Sequence, residues 1–178
     1  NKEDLLRGNE ISGFNFGIFG FGRIGKNVSN FLKIFTKNIC YYDPYVKSKL
    51  INKEKNIKNF LKKINFLIIS SKLTDETKDF FNFKILKLLP KNSYIVNVSR
   101  GELIIENDLI KLINLKHIKK VALDVLRQEN KILHGTNKLI KLSRKKKNIF
   151  ITPHIAGLTY ESEKKALIKM KELMYKKL

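Results

Sequence analysis

The segment Gly20-Phe21-Gly22-Arg23-Ile24-Gly25 limits this chain's possible folds more than any other feature, because it stands where one periodicity gives way to another. Before it, Phe14 to Phe19 is a short apolar run bounded by glycines, the pattern of a buried strand. After it, Ile24, Val28, Phe31, Leu32 and Phe35 recur at helical spacing. Ile39 to Tyr42 then reads as a second strand, closed by Asp43-Pro44. Glycines at this spacing between a strand and a helix, with an acid at the end of the next strand, form a dinucleotide-binding turn. Gly20 permits the tight turn, Gly22 lets the backbone approach a pyrophosphate, and Gly25 lets helix and strand pack closely. The helix N-terminus offers free N–H groups to the phosphates. Arg23 and Ile24, inside the loop, join the candidate contacts. Asp43 is placed to accept from the ribose hydroxyls, and its charge repels a 2′-phosphate, so NAD is expected rather than NADP.

Farther along, strands are expected at Phe66 to Ser70, Tyr94 to Val98, Lys120 to Leu123 and Ile149 to Thr152. Helices are expected at Ile57 to Ile64, Asn82 to Leu89, Leu103 to Leu115 and Glu161 to Leu178, the last basic and amphipathic. Residues 47–58 are polar and ill-defined, and 128–148 read as a long loop with an apolar patch at Leu139 to Leu142. Alternating strands and helices imply an α/β fold, a Rossmann-type doubly wound parallel sheet. Ligands of such sheets sit beyond the carboxyl ends of the strands. Gly20, Asp43, Ser70, Ser99, Asp124 and His154 all fall at strand ends or just past them.

The length of 178 residues suits one domain. One cysteine, Cys40, excludes a disulfide framework and fits a cytoplasmic setting. It falls within the second strand and reads as a small core residue, and the Tyr41-Tyr42 pair as strand packing. No apolar run reaches the ~20 residues of a membrane span. The formal charge of +21 raises the question of nucleic acid. The excess is spread along the chain as lysine beside abundant Asn and Ile, however, which is the signature of an A/T-rich genome. The dense run Arg144-Lys145-Lys146-Lys147 reads as a solvated loop. No metal site is expected. His117 and His134 have no motif around them and read as solvent-facing.

Four further motifs resemble one family. Asn97-Val98-Ser99-Arg100-Gly101-Glu102-Leu103-Ile104 resembles the Asn-x-x-Arg-Gly block of the D-isomer-specific 2-hydroxyacid dehydrogenases. Ala122-Leu123-Asp124-Val125 with Gln128-Glu129 resembles their Ala-Leu-Asp-Val…Glu block, and Thr152-Pro153-His154-Ile155-Ala156-Gly157 their Thr-Pro-His block. Leu73-Thr74-Asp75-Glu76-Thr77 matches the segment after the third strand. The glycine loop is in register with all four. The resemblance, phosphoglycerate-dehydrogenase-like, implies an NAD-dependent interconversion of a 2-keto acid and a D-2-hydroxy acid. Phosphoglycerate, glycerate/hydroxypyruvate and lactate are the candidate types. It implies catalytic roles for Arg100, Glu129 and His154. Arg100 suits a carboxylate, which its planar fork pairs bidentately. His154 suits proton transfer to the substrate oxygen, with Glu129 on its other ring nitrogen. Cofactor contacts are expected from Gly20, Gly22, Arg23, Ile24, Gly25, Asp43, Ser71, Val98, Ser99, Arg100, Asp124, His154 and Gly157, with Asp124 at the nicotinamide carboxamide.

Some positions depart from the family pattern. Asn130 stands where Pro usually follows the catalytic Glu. Ser70-Ser71-Lys72 replaces His-x-Pro, and Ile105 replaces a frequent Asp. Residues 1–178 are expected to be a single NAD-binding domain, with 1–12 and 160–178 as connections toward a substrate domain largely missing from the chain. By resemblance the chain dimerises through this domain. The family also contains NAD-sensing corepressors that are not enzymes, and that is the alternative reading.

Overall fold

The computed structural model describes residues 7–129 and 137–175. Seven strands form one sheet: β1 (Phe16–Phe19), β2 (Ile39–Tyr42), β3 (Asn52–Lys53), β4 (Phe66–Ile69), β5 (Ser93–Asn97), β6 (Ile118–Leu123) and β7 (Ile149–Ile151). Their order is β3-β2-β1-β4-β5-β6-β7, and every pairing is parallel. The helices are α1 (Arg23–Leu32), α2 (Ile57–Lys63), α3 (Phe83–Leu86), α4 (Glu106–Asn114), α5 (Lys138–Ser143) and α6 (Tyr160–Tyr175). This is the doubly wound α/β architecture expected from the sequence.

The apolar strands are buried because helices cover both faces. In β4, Leu67 and Ile69 join a cluster with Phe60, Leu61 and Phe81, while Ile68, pointing the other way, joins Phe16, Ile18, Phe21 and Tyr41. Phe21 stacks on Tyr41 with ring centroids 4.0 Å apart, tying the glycine loop to the second strand. The register matters for function. Tyr42, Phe19, Ile69, Asn97, Leu123 and Ile151 pair across the sheet in one row. The residues that follow them, Asp43, Gly20, Ser70, Val98, Asp124 and Thr152, therefore leave the sheet along one edge. Strand order reverses between β1 and β4, and the crevice there is where such folds take a ligand.

Several expectations need correction. Residues 47–58 contain β3, two residues paired with Cys40 and Tyr41. The 128–148 region contains α5, whose Leu139 is fully buried. Asn137 caps that helix, its Oδ1 accepting from Leu139 N and Ile140 N at 2.8 and 3.2 Å. A six-residue helix is too short for periodicity to reveal. α1 buries Gly25 and Ser29 against the sheet, while Ile24, Phe31 and Phe35 of its apolar stripe, with Ile34, stay exposed. Small residues on the sheet side let the helix approach closely; Val28 and Leu32 of the stripe pack against the core, and only its outer members face away. Cys40 is half-buried against the core, and burial, with Glu54 adding, pushes its thiol up to about 12.

His117 is buried at 7% exposure rather than solvent-facing. Its Nε2 lies 2.9 Å from Leu89 O, and a carbonyl only accepts, so Nε2 carries the proton. Nδ1 then accepts from Lys87 Nζ at 3.4 Å. Burial first, then Lys87 and Lys91, hold the imidazole below its ordinary pKa, against the opposing bond to Leu89 O. His134 and Asn130 lie outside the described residues.

The depressed pKa sets a pH dependence. The unfolded chain binds a proton at His117 near its ordinary value of ~6.5, while the folded chain resists it. The stability this site contributes is therefore complete above that pH. It is lost as the pH falls through the lower folded value. Urea midpoints are expected to drop from pH 7.5 to pH 5, and His117→Gln, which keeps a donor for Leu89 O, is expected to lessen the drop.

Candidate active site and cofactor groove

The glycine loop turns immediately after β1. Gly20 has φ +88°, and a Cβ there would lie 2.6 Å from the backbone of Ser71. A Cβ on Gly25 would lie 2.4 Å from Gly20 O. Both positions therefore need glycine, one for conformation and contact, the other for contact alone. Around Gly22 nothing lies within 4 Å, so its backbone is open to an incoming group. Ser70 Oγ donates to Gly20 O at 2.7 Å and fixes the turn.

Asp43 closes β2 beside this loop. Its Oδ2 accepts from Phe21 N at 2.8 Å, and its Oδ1 accepts from Tyr45 N and Val46 N, each at 2.9 Å. The carboxylate holds the glycine loop and the Asp-Pro turn together. A carboxylate has about four lone-pair sites, so acceptor capacity remains. Gly20, Gly22, Asp43, Tyr45, Ser71 and Glu76 line one groove of about 700 Å³. Arg23 and Ile24 are exposed in the first turn of α1. A bare backbone at Gly22, a helix N-terminus free of acids and an acid at the end of β2 fit a dinucleotide.

The second constellation lies past β5, β6 and β7. Arg100, Glu129 and His154 line a cavity of about 290 Å³ with Gly101. Glu129 Oε2 accepts from His154 Nδ1 at 2.8 Å. Since a carboxylate only accepts, the neutral ring is held as the Nδ1–H form, and Nε2 is left available. Glu129 Oε1 accepts from Leu126 N at 2.8 Å, which fixes the carboxylate in turn. Arg100 is exposed, and its Nη1 donates to Ser99 O at 2.6 Å. Asn97, at the end of β5, shapes the turn below it, donating to Arg100 O at 2.9 Å and accepting from Ser99 N at 3.0 Å.

His154 has φ +56°, in the left-handed region. Asp124 holds it there. Its backbone O accepts from His154 N at 2.8 Å. Its buried carboxylate accepts from Thr152 Oγ1 at 2.5 Å and from Ile155 N and Ala156 N, each at 2.9 Å. Burial alone raises the pKa of such a group. Here the bonds from Thr152, Ala156 and Ile155, with the nearby His154, outweigh it and hold Asp124 below the usual carboxylate range.

The sequence placed Asp124 at the nicotinamide. In the structure its carboxylate clamps the loop that presents His154. Ser99 is likewise committed: it is buried, and its Oγ donates to Ile69 O at 3.1 Å. Val98 is half-buried beneath that turn. Ser71 lines the glycine-loop groove, its Oγ 3.4 Å from Lys72 O. Gly157 is exposed at the far end of the His154 loop. Reading from the sequence missed Asn97 and Thr152. Both stand inside the quoted motifs, and an amide or hydroxyl beside a strand end was the signal available.

Residues 1–156 match the family D-isomer specific 2-hydroxyacid dehydrogenase, NAD binding domain. The D-3-phosphoglycerate dehydrogenase of Methanocaldococcus jannaschii is 32% identical over 166 residues, covering 90% of this chain and 30% of that protein. The glyoxylate reductase of Pyrococcus furiosus is 33% identical over 159 residues, covering 87% and 45%. A D-isomer specific 2-hydroxyacid dehydrogenase from Lactobacillus delbrueckii ssp. bulgaricus, solved in its NAD-complexed form, superimposes with a TM-score of 0.79 at 26% identity. That match covers 89% of this chain and 52% of the other. This chain belongs to the NAD-binding domain family of the D-isomer-specific 2-hydroxyacid dehydrogenases. It spans less than half the length of either curated relative named above.

Asp124→Asn tests the clamp. An amide has one acceptor oxygen for three donors, and hydrogen bonds to a charged group contribute about 1.5–3 kcal/mol each. The expected cost is about 2–3 kcal/mol of unfolding free energy, read by urea titration, with relaxation shared among the donors. Faster amide exchange at Ile155 and Ala156 should accompany it. Linkage gives the pH sense: the stability from Asp124 is complete above its unfolded pKa of ~3.9 and is lost as pH falls through the lower folded value.

Proposed function

We propose that the protein containing this chain is an NAD-dependent dehydrogenase that interconverts a 2-keto acid and a D-2-hydroxy acid. The observation that supports this most is the shared cavity of Arg100, Glu129 and His154, with His154 Nδ1 already engaged by Glu129. When bound, NAD supplies or accepts the hydride at the carbon bearing the substrate oxygen. Gly20, Gly22, Gly25 and the N-terminus of α1 hold its pyrophosphate, with Arg23 and Ile24 beside it. Asp43 takes the adenosine ribose. Ser71, Val98, Ser99, Asp124 and Gly157 would meet the remainder of the cofactor, with the Ser99 and Asp124 side chains already committed to Ile69 O and to the His154 loop.

Arg100 binds the substrate carboxylate through the N–H groups not given to Ser99 O. Its charge also draws electron density toward the carbonyl oxygen. His154 gives a proton from Nε2 to that oxygen in reduction and takes it back in oxidation. Glu129 fixes the ring through Nδ1–H and leaves Nε2 for the proton in both directions. Phosphoglycerate, glyoxylate, hydroxypyruvate and lactate types share this chemistry. We assign residues 1–12 and 160–178 as connections toward a substrate-recognising domain. In α6 every described residue is exposed. We place the protein in the cytoplasm.

The deciding measurement is a titration of the chain with NADH and NADPH, followed by cofactor fluorescence; the chain has no Trp to interfere. Saturable NADH binding that persists at high salt is expected, weaker for NADPH. Asp43→Ala should weaken NADH by about tenfold or more, as loss of charge-assisted bonds implies. Binding that disappears with salt and ignores Asp43 would overturn the cofactor assignment and return attention to the +21 charge.

A homodimer formed through this domain belongs to the same proposal, with the exposed Ile24 and Phe31 of α1, and Ile34 and Phe35 just past its end, as its apolar contact. Light scattering is expected to give twice the chain mass, and Phe31→Asp the single mass.

A further inference from the structure

Three consecutive backbone N–H groups in the turn after β6 end on three different glutamates. Leu126 N donates to Glu129 Oε1 at 2.8 Å, Arg127 N to Glu106 Oε1 at 2.8 Å, and Gln128 N to Glu102 Oε1 at 3.2 Å. Glu102 and Glu106 belong to the segment that begins with Arg100. The turn also donates back to that segment. Arg127 Nη1 reaches Ile104 O at 3.2 Å and Glu102 O at 3.4 Å, and pairs with Asp79. Gly101 makes room for this approach, since a Cβ there would lie 2.0 Å from the carbonyl carbon of Leu126. Gln128 itself has φ +51°, a backbone state the surrounding bonds must hold.

Glu106 has a second attachment. Its Oε2 accepts from Asn137 Nδ2 at 3.1 Å. The Asn137 amide cannot turn over, because its Oδ1 is committed to Leu139 N and Ile140 N as the cap of α5. Nδ2 must therefore face Glu106, and Glu106 must accept on both oxygens. Only a carboxylate does this.

We infer that Glu106 is a positioning residue for His154, acting through the 126–129 turn. It holds the turn from beneath so that Glu129 meets His154 Nδ1, and it ties the turn to the segment bearing Arg100. The inference rests on the reading of His154 as the proton carrier. Glu106 lines neither the groove of the glycine loop nor the cavity of Arg100 and His154. Its effect is indirect: it fixes the geometry of a carboxylate that must stand at 2.8 Å from a ring nitrogen.

The experiment is nitrogen-15 NMR of the His154 ring in the ligand-free chain, which reads directly which nitrogen of the neutral imidazole carries the proton. In the wild type the Nδ1 resonance is expected at the protonated position. Glu106→Gln has one acceptor oxygen for two donors and should move the resonance toward the average of the two tautomers. Asn137→Asp keeps the cap of α5 while replacing the Nδ2 donor with a second carboxylate. It should move the resonance the same way, and it decides the matter should Glu106→Gln fail to fold. NADH affinity at the glycine loop should be unchanged in both. Glu129→Ala is the reference for complete loss of the tautomer preference. A resonance that Glu129→Ala moves and the other two variants leave in place would overturn the role of Glu106 while keeping the pair. A resonance that Glu129→Ala also leaves in place would mean that His154 and Glu129 are not paired in solution, and the proton-carrier reading would fail with the inference.

Discussion

In-register parallel pairing across the sheet is the constraint on which everything else in this molecule depends. Tyr42, Phe19, Ile69, Asn97, Leu123 and Ile151 pair in one row, so six loops start from one edge at one height. The hydrogen bonds of a parallel ladder are evenly spaced, and the one register shift between β5 and β6, at Ser93/Tyr94, falls at the far end of the strands from this row. A register error of one residue in β6 would turn Asp124 to the opposite face and separate it from Thr152 and Ala156. The apolar interior is thus what aims the polar edge.

Along that edge the polar groups are organised in tiers. Side chains such as Asn97, Asp124, Ser70 and Ser99 bond to backbone and shape the turns. Arg100, Glu129 and His154 then stand on those turns and face a cavity. The lower tier carries much of the energetic burden, because its groups are buried and each must be satisfied. Among the described residues, no buried side-chain nitrogen or oxygen lacks a hydrogen-bond partner. His154 holds a left-handed backbone because several bonds from the lower tier outweigh its local preference. The imidazole to which we assign proton transfer thus sits on a segment that Asp124 keeps in an uncommon conformation.

Much of this was legible in the residue order. Strands and helices alternate in the sequence close to the positions where they are found, and the glycine loop, Asp43 and the motifs bearing Arg100, Glu129 and His154 stand at strand ends in the residue order itself. The failures share a cause. α5 and β3 have six and two residues, too few to show a period. The apolar stripe of α1 gives the helix and, through Val28 and Leu32, part of the face it buries, while close approach through Gly25 and Ser29 was decided by the sheet beneath. His117 looked like a surface residue because nothing in its neighbours in sequence signals Leu89 O, a contact made across 28 positions of chain.

What the sequence determined by itself was local: which segments are strands, where the backbone must be glycine, and which residue types stand at strand ends. Those follow from periodicity, from steric limits at φ +88°, and from the chemistry each side chain carries. The tertiary structure decided how the acids divide their work. Glu129 meets the imidazole, Asp124 holds the loop, and Glu106 and Glu102 hold the turn. In the sequence only the family resemblance sets Glu129 beside His154; nothing there separates the work of Asp124, Glu102 and Glu106. Their roles differ because folding gives each a different set of donors within 3.2 Å, and no local pattern encodes which backbone N–H will arrive.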